Sequence, residues 1–286
     1  PGVLGTLTAE VDLDPADARW AMSRIMEGVA TDAQIAAFGV ALKMKGVTGP
    51  EVEALASTML DYSRRVPTDR ACVDIVGTGG DRLSSVNIST MSALVCAGAG
   101  VRVVKHGNRA SSSKSGSADV LEALGVQLDM PVDRVKRAAS EVGITFLFAQ
   151  TFHPSMRFAA AARKALGVAT AFNFLGPLSN PAQVSAQALG CSSEVMVPLL
   201  ARVLADRGVR GFVFRGSDGR DKITTSGPST VIEVRHEVTA HELDPRDFGI
   251  ELAPVEALAG RDGQVKYAMA ITDGILNYVN GNAATG

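Results

Sequence analysis

The chain has 286 residues, 46% hydrophobic and 20% charged, enough to bury one large core or two lobes. Its formal net charge of −2, with no basic run, gives a nucleic-acid partner little electrostatic support. No uninterrupted apolar stretch approaches the roughly 20 residues that cross a bilayer, and the opening PGVLGTLTAEVDLD shows no basic, apolar leader pattern, so a cytoplasmic location is expected. Cys72, Cys96 and Cys191 stand in apolar contexts without metal-ligand spacing and read as reduced core thiols.

From Asp14 to about Ser63, apolar residues recur at helical spacing in ADARWAMSRIMEGV, DAQIAAFGVALKMKGV and GPEVEALASTMLDYSRR, with Asp14, Thr31 and Thr48 placed as N-caps. This predicts a small helical lobe over residues 1–66. Its apolar faces, including Trp20, Met22, Ile25, Phe38 and Met44, exceed what a lobe of this size buries by itself. After Pro67 the texture changes. ACVDIVG, VRVVKHG, GITFLFA, VSAQALG and RGFVFRG are short apolar runs ending in glycine or a polar residue, with helical segments between them. Alternating strands and helices predict an α/β lobe over residues 67–286 with a mainly parallel sheet flanked by helices, and such sheets bind ligands beyond the carboxyl ends of their strands. SMRFAAAARKALG reads as a long helix and FNFLGPLSNPA as a proline-punctuated loop running back toward the helical lobe, so part of 155–185 is expected to join that lobe.

Two strand ends carry the chemistry. VDIV leads into GTGGD, where three glycines let backbone amides approach an anion closely. NIST then places Asn87, Ser89 and Thr90 at a helix start, so free amides and hydroxyls share one direction. The stretch lacks the Lys-Ser/Thr ending of an ATP-type loop and the G-x-G-x-x-G spacing of a dinucleotide fold. A tight turn without a ligand is the alternative for this stretch alone. The second end, KHGNRASSSKSG, follows an apolar strand with Lys105, His106, Asn108, Arg109 and three serines, a donor set suited to a polyanion.

DIVGTGGD, NIST, KHGNRASSSKSGSADVLEALG, FHPSMR followed by Arg163, and FNFLGPLSNPA together resemble the anthranilate phosphoribosyltransferases of tryptophan biosynthesis. The resemblance runs from the helical lobe to about Phe248 and implies a nucleoside-phosphorylase-like fold, a homodimer built through the helical lobe, and magnesium, as one or two ions. It implies that phosphoribosyl pyrophosphate (PRPP) is held by Gly77, Gly80, Asp81, Ser85, Asn87, Ser89, Thr90, Lys105, Asn108, Arg109, Ala110, Ser111, Ser112, Ser113 and Ser117. Anthranilate would meet Gly77, His106, Asn108, His153 and Arg163, the last pairing with its carboxylate. Ser89 and Asp221 would serve the metal. The alternatives are a relative of the same fold with another aromatic amine or weak catalysis, and a nucleic-acid-binding relative.

Departures from the family pattern are informative. In RGSDGRDK, Arg215 replaces a histidine, and Lys222 replaces the glutamate that accompanies the aspartate at magnesium. Two readings of Lys222 stay open: a lost metal ligand, which is favoured and predicts a gain of turnover in Lys222→Glu, or a fixed cation serving pyrophosphate. Gln150 replaces a proline before FHP. The final KYAMAITDGILNYVNGNAATG matches the family only loosely, and the resemblance implies closing helices beyond it.

Overall fold

The computed structural model describes residues 2–68, 71–79, 87–109 and 116–255. The chain begins with α1 (Gly2–Thr8) and α2 (Pro15–Met26), the latter started by Asp14, whose Oδ1 accepts from the Ala16 amide at 2.8 Å. Capping boxes then open α3 (Asp32–Lys45) and α4 (Gly49–Asp61), pairing Thr31 with Gln34 and Thr48 with Glu51. Glu51 is fully buried, and its carboxylate accepts from Leu13 N, Thr48 N and Lys45 Nζ at 2.8–2.9 Å. A charge taken out of water survives there because every partner is supplied.

Next come β1 (Val73–Gly77), α5 (Ile88–Gly98), β2 (Val103–Gly107), α6 (Ser117–Ala123), α7 (Val132–Arg137) and β3 (Ile144–Phe148). The chain continues through α8 (Ala149–Phe152), α9 (Arg157–Leu166) and α10 (Phe172–Leu175) to β4 (Ala186–Gly190), α11 (Met196–Asp206), β5 (Arg210–Gly216), β6 (Ser229–Val234) and β7 (Val238–Leu243). The helix expected over SMRFAAAARKALG starts only at Arg157. Pro154 opens a 3-10 turn over Pro154–Met156 before it, and Gly167 ends it in the left-handed region at φ 64°.

Two compact units result. One takes the residues up to Arg65 together with Ala149–Pro181; the other takes Val66–Phe148 and the chain from Ala182 onward. In the first, the returning segment is bound in by Lys43 Nζ donating to Ala169 O and Arg64 N donating to Phe152 O, both at 2.8 Å. Phe158 lies against Gly28 there, where φ of 73° and the lack of space both demand glycine. The apolar faces divide. Met22, Ile25 and Phe38 are core, whereas Trp20 is 54% and Met44 79% exposed. A cavity of about 270 Å³ lined by Val3, Leu4, Trp20, Ile25, Val29 and Phe38 opens on this unit.

In the second unit the described residues build a seven-stranded sheet in the order β3-β2-β1-β4-β5-β6-β7. The first five strands by sequence are parallel, and β6 and β7 add antiparallel at one side. Val73, Ile75, Ile88, Cys96, Val103 and Phe214 pack into one core cluster. All three cysteines are free and buried. No helix among the described residues is long and apolar enough to cross a membrane.

Candidate active site

The order of the parallel strands reverses between β1 and β4: the chain proceeds from β1 to β2 and β3 on one side, then crosses to β4 and β5 on the other. A crevice at the carboxyl ends of such a pair is where open α/β sheets take ligands. Gly77 and Gly190 stand opposite each other at these ends. Thr78 N donates to Gly190 O and Ser192 Oγ to Gly79 O, each at 2.9 Å. Gly79 N donates to Asp221 Oδ2 at 2.7 Å. A Cβ at position 77 would strike that Asp221 oxygen, and one at position 190 would strike the Asp221 carbonyl. Glycine is therefore required at both strand ends for the β5–β6 loop to close over them.

Lys105, on β2, is only 3% exposed and donates to Ile75 O at 2.5 Å. Burial pulls its pKa down to about 8 against the opposing pull of Asp74 and Asp221. The neighbouring His106 is equally buried, and its amide donates to Asp74 Oδ1 at 3.1 Å. Asn87 stands at the start of α5, where its Oδ1 accepts from Thr90 Oγ1 at 2.9 Å and from Ser117 Oγ at 3.1 Å. That single amide ties the first turn of α5, which carries Ser89, to the first residue of α6. The flanks of the two loops singled out in the sequence thus meet. Gly80, Asp81, Ser85, Ala110, Ser111, Ser112 and Ser113 lie outside the described residues.

Arg109 is engaged by acids of its own neighbourhood. Its guanidinium forks onto Glu122 at 2.8 and 3.0 Å and onto Asp119 at 2.9 Å, above the Phe148 ring. The hydrogen bonds it donates to Glu122, then Asp119, raise its pKa. Asn108 is exposed, its carbonyl accepting from Ala118 N at 3.3 Å.

The sequence reading missed four residues of this site. Asp74 was legible as an acid inside an apolar strand, a placement that demands a buried partner. Thr78 and Ser192 join the two strand ends by a hydrogen bond of 3.3 Å from Ser192 N to Thr78 Oγ1 and gave no signal of their own. Asp218 accepts from Thr224 Oγ1 at 2.7 Å and from Arg220 N at 3.1 Å, and its side chain and that of Arg220 are each 3% exposed. A Ser-Asp-Gly-Arg run reads as a solvated turn, so its burial had no precursor in the pattern.

Of the two residues assigned to a metal, Ser89 offers a half-buried hydroxyl. Asp221 does not fit the role. One of its oxygens accepts from Gly79 N and the other lies 2.5 Å from Lys222 Nζ, so its charge is already cancelled. No group of three or more His, Cys, Asp or Glu able to hold a metal occurs among the described residues.

The helical unit holds the other two assigned residues. His153 is buried, its Nε2 2.8 Å from Ser179 O, and burial pushes its pKa down to about 4, leaving the ring neutral near pH 7. Arg163 projects from α9 over the Phe172 ring at 5.9 Å; it is half-buried, and desolvation lowers its pKa. No described carboxylate lies within ion-pairing distance of it.

Residues 1–63 match the helical bundle domain of a glycosyl transferase family, and residues 69–284 match the a/b domain of the same family. The fold and the phosphate-type strand ends thus define a two-domain glycosyl transferase. Among its relatives, the anthranilate phosphoribosyltransferase of Arthrobacter sp. (strain FB24) is 56% identical over 99% of this chain and 80% of its own. The crystal structure of anthranilate phosphoribosyltransferase from Thermus thermophilus is 42% identical with a TM-score of 0.85, over 94% of this chain and 80% of that one. The Saccharomyces cerevisiae enzyme in complex with PRPP and Mg is 27% identical with a TM-score of 0.82, over 95% and 80%. The chain belongs to the anthranilate phosphoribosyltransferase family.

Proposed function

We propose that the protein transfers the phosphoribosyl group of PRPP to the amine of anthranilate, releasing pyrophosphate, as a step of tryptophan biosynthesis in the cytoplasm. The observation that carries this reading is the junction of two glycine- and hydroxyl-rich strand ends at the reversal of strand order, with the buried ammonium of Lys105 among them. Amides, hydroxyls and a desolvated cation are the groups that hold a pyrophosphate. The 56% identity to the Arthrobacter enzyme supports the same activity.

In the reaction the anthranilate nitrogen forms a bond to the anomeric carbon as the bond from that carbon to pyrophosphate breaks, and the amine proton passes to solvent. Positive charge develops on the ribose while negative charge grows on the leaving group. The protein's part is to align the amine and to stabilise the leaving group. Gly77, Asn87, Ser89, Thr90, Lys105 and Ser117 would meet the donor, together with the serines after Arg109. Arg163, half-buried and short of an acid partner, would take the anthranilate carboxylate, which a planar guanidinium fork suits. His106 and Asn108 would shape the acceptor side, and His153 would do so as a neutral ring, since burial pushes its pKa down to about 4. Magnesium bound to the donor supplies further charge neutralisation of the pyrophosphate. The exposed Trp20 and Met44 support a homodimer built through the helical unit.

The test is the loss of anthranilate fluorescence on mixing protein, anthranilate and PRPP, with and without magnesium. PRPP-dependent loss with stoichiometric pyrophosphate release is expected; fluorescence unchanged at micromolar enzyme refutes the reading.

A further inference from the structure

At the carboxyl end of β1, the carboxylate of Asp221 joins two groups. Oδ2 accepts from Gly79 N at 2.7 Å, and Oδ1 is 2.5 Å from Lys222 Nζ. Asp221 is 5% and Lys222 13% exposed. The pair is therefore largely desolvated, and breaking it would leave an uncompensated buried charge, which is strongly destabilising. A cation approaching Asp221 would have to displace the ammonium and strand it beside the new positive charge. Lys222 thus fills the place that a cation would take at Asp221, and it does so at the strand ends that the function proposed above gives to the pyrophosphate.

We propose that Lys222 is a resident cation of this site, which holds Asp221 in place of a metal ion and lends its charge to the leaving pyrophosphate. The inference rests on the PRPP-site reading above and adds a binding residue to it. Of the two readings open in the sequence, the geometry points to the fixed cation over the lost metal ligand. Asp221 has both oxygens engaged, and what it orients is the Gly79 amide and the ammonium. Lys222 is a binding and charge-supplying residue here, and the site's metal requirement is set by the ions that enter on the donor.

Two measurements test this. In the first, Mn²⁺ is titrated into the free wild-type protein and into Asp221→Asn, with free Mn²⁺ read by electron paramagnetic resonance. No site that depends on Asp221 is expected below millimolar Mn²⁺; a wild-type site that vanishes in Asp221→Asn overturns the proposal, and this holds even if the lysine variants fold poorly. In the second, metal-free pyrophosphate is titrated calorimetrically into wild type, Lys222→Met and Lys222→Arg in the presence of EDTA. A loss of about tenfold in Lys222→Met with affinity retained in Lys222→Arg is expected, because one charge-assisted hydrogen bond is removed and then restored. Equal affinity in Lys222→Met and wild type overturns the proposal while leaving the donor site in place. Absence of metal-free pyrophosphate binding in wild type also overturns the proposal, because a resident cation should hold the anion without added metal, and anthranilate transfer, measured separately with PRPP and magnesium, reports on the function whatever Lys222 does.

Discussion

At the proposed donor site, the burial of Lys105 is expected to create a pH dependence. Its pKa is pulled to about 8 by burial on β2, so the ammonium is about 90% protonated at pH 7 and about 10% at pH 9. If PRPP needs that charge, its Michaelis constant should rise about tenfold between pH 7 and 9, and binding near pH 9 should take up a proton. Lys105→Arg keeps its charge across this range and should bind more weakly but with no such rise; ionisation of the donor is common to both proteins, so the difference between the curves isolates the lysine. Calorimetry in two buffers of unlike ionisation enthalpy measures the proton uptake. A Michaelis constant flat to pH 9.5 in wild type, or identical curves for wild type and Lys105→Arg, would refute the assignment. The same group has a stability signature. The unfolded chain holds this proton up to about pH 10.4 and the folded one only to about 8, so between those values the unfolded state binds more protons. The burial penalty is fully present below pH 8 and is relieved as pH rises through that window, a rise in melting temperature that Lys105→Met should lack.

Arg163→Ala should raise the Michaelis constant for anthranilate about ten- to a hundredfold, the worth of one charge-assisted carboxylate contact, and leave that for PRPP nearly unchanged; equal effects on both substrates would count against it. Gly190→Ala forces a Cβ into the Asp221 carbonyl; overpacking of roughly 1–3 kcal/mol at about 2–4 °C per kcal/mol predicts a melting point lower by roughly 2–12 °C, read by calorimetry, with PRPP binding lost as well. Sedimentation at micromolar concentration should show a dimer that Trp20→Asp with Met44→Asp converts to monomer, and a monomeric wild type would remove the helical unit as the assembly face.

Much of the architecture was legible because it follows from local rules. Asp14, Thr31 and Thr48 cap the helices predicted for them, since a side-chain oxygen before an apolar-periodic run satisfies orphan amides wherever it occurs. The five parallel strands stood out as apolar runs because both their faces are covered. The β6–β7 hairpin was not predicted: β7 is exposed along nearly its whole length, so VTAHEL carries no burial signal. The candidate site was legible as two strand ends, in glycines and hydroxyls. What joins them was not. The contact of Asp221 with Gly79 spans 142 positions, and no local pattern encodes a carboxylate turned inward by the backbone of another loop. The burial of Asp218 with Arg220 was missed for a different reason, because its partners Arg220 and Thr224 lie in its own loop and a polar Ser-Asp-Gly-Arg run reads as a solvated turn. For Trp20 and Met44, helical periodicity places a residue on an apolar face without saying whether that face is covered.

The first unit is assembled from two stretches of chain separated by 83 residues, Arg65 at the end of one and Ala149 at the start of the other. That arrangement bears on how the protein emerges from the ribosome. Helices α1–α4 appear first but lack the returning segment that brings Phe158 against Gly28 and ties Lys43 to Ala169. At roughly 5–20 residues per second, the wait from Arg65 to Pro181 is on the order of ten seconds. During that interval the apolar surface later sealed by α9 and α10 faces solvent, and chaperone capture of stalled nascent chains should peak for lengths between these two points and fall once residue 181 has cleared the exit tunnel.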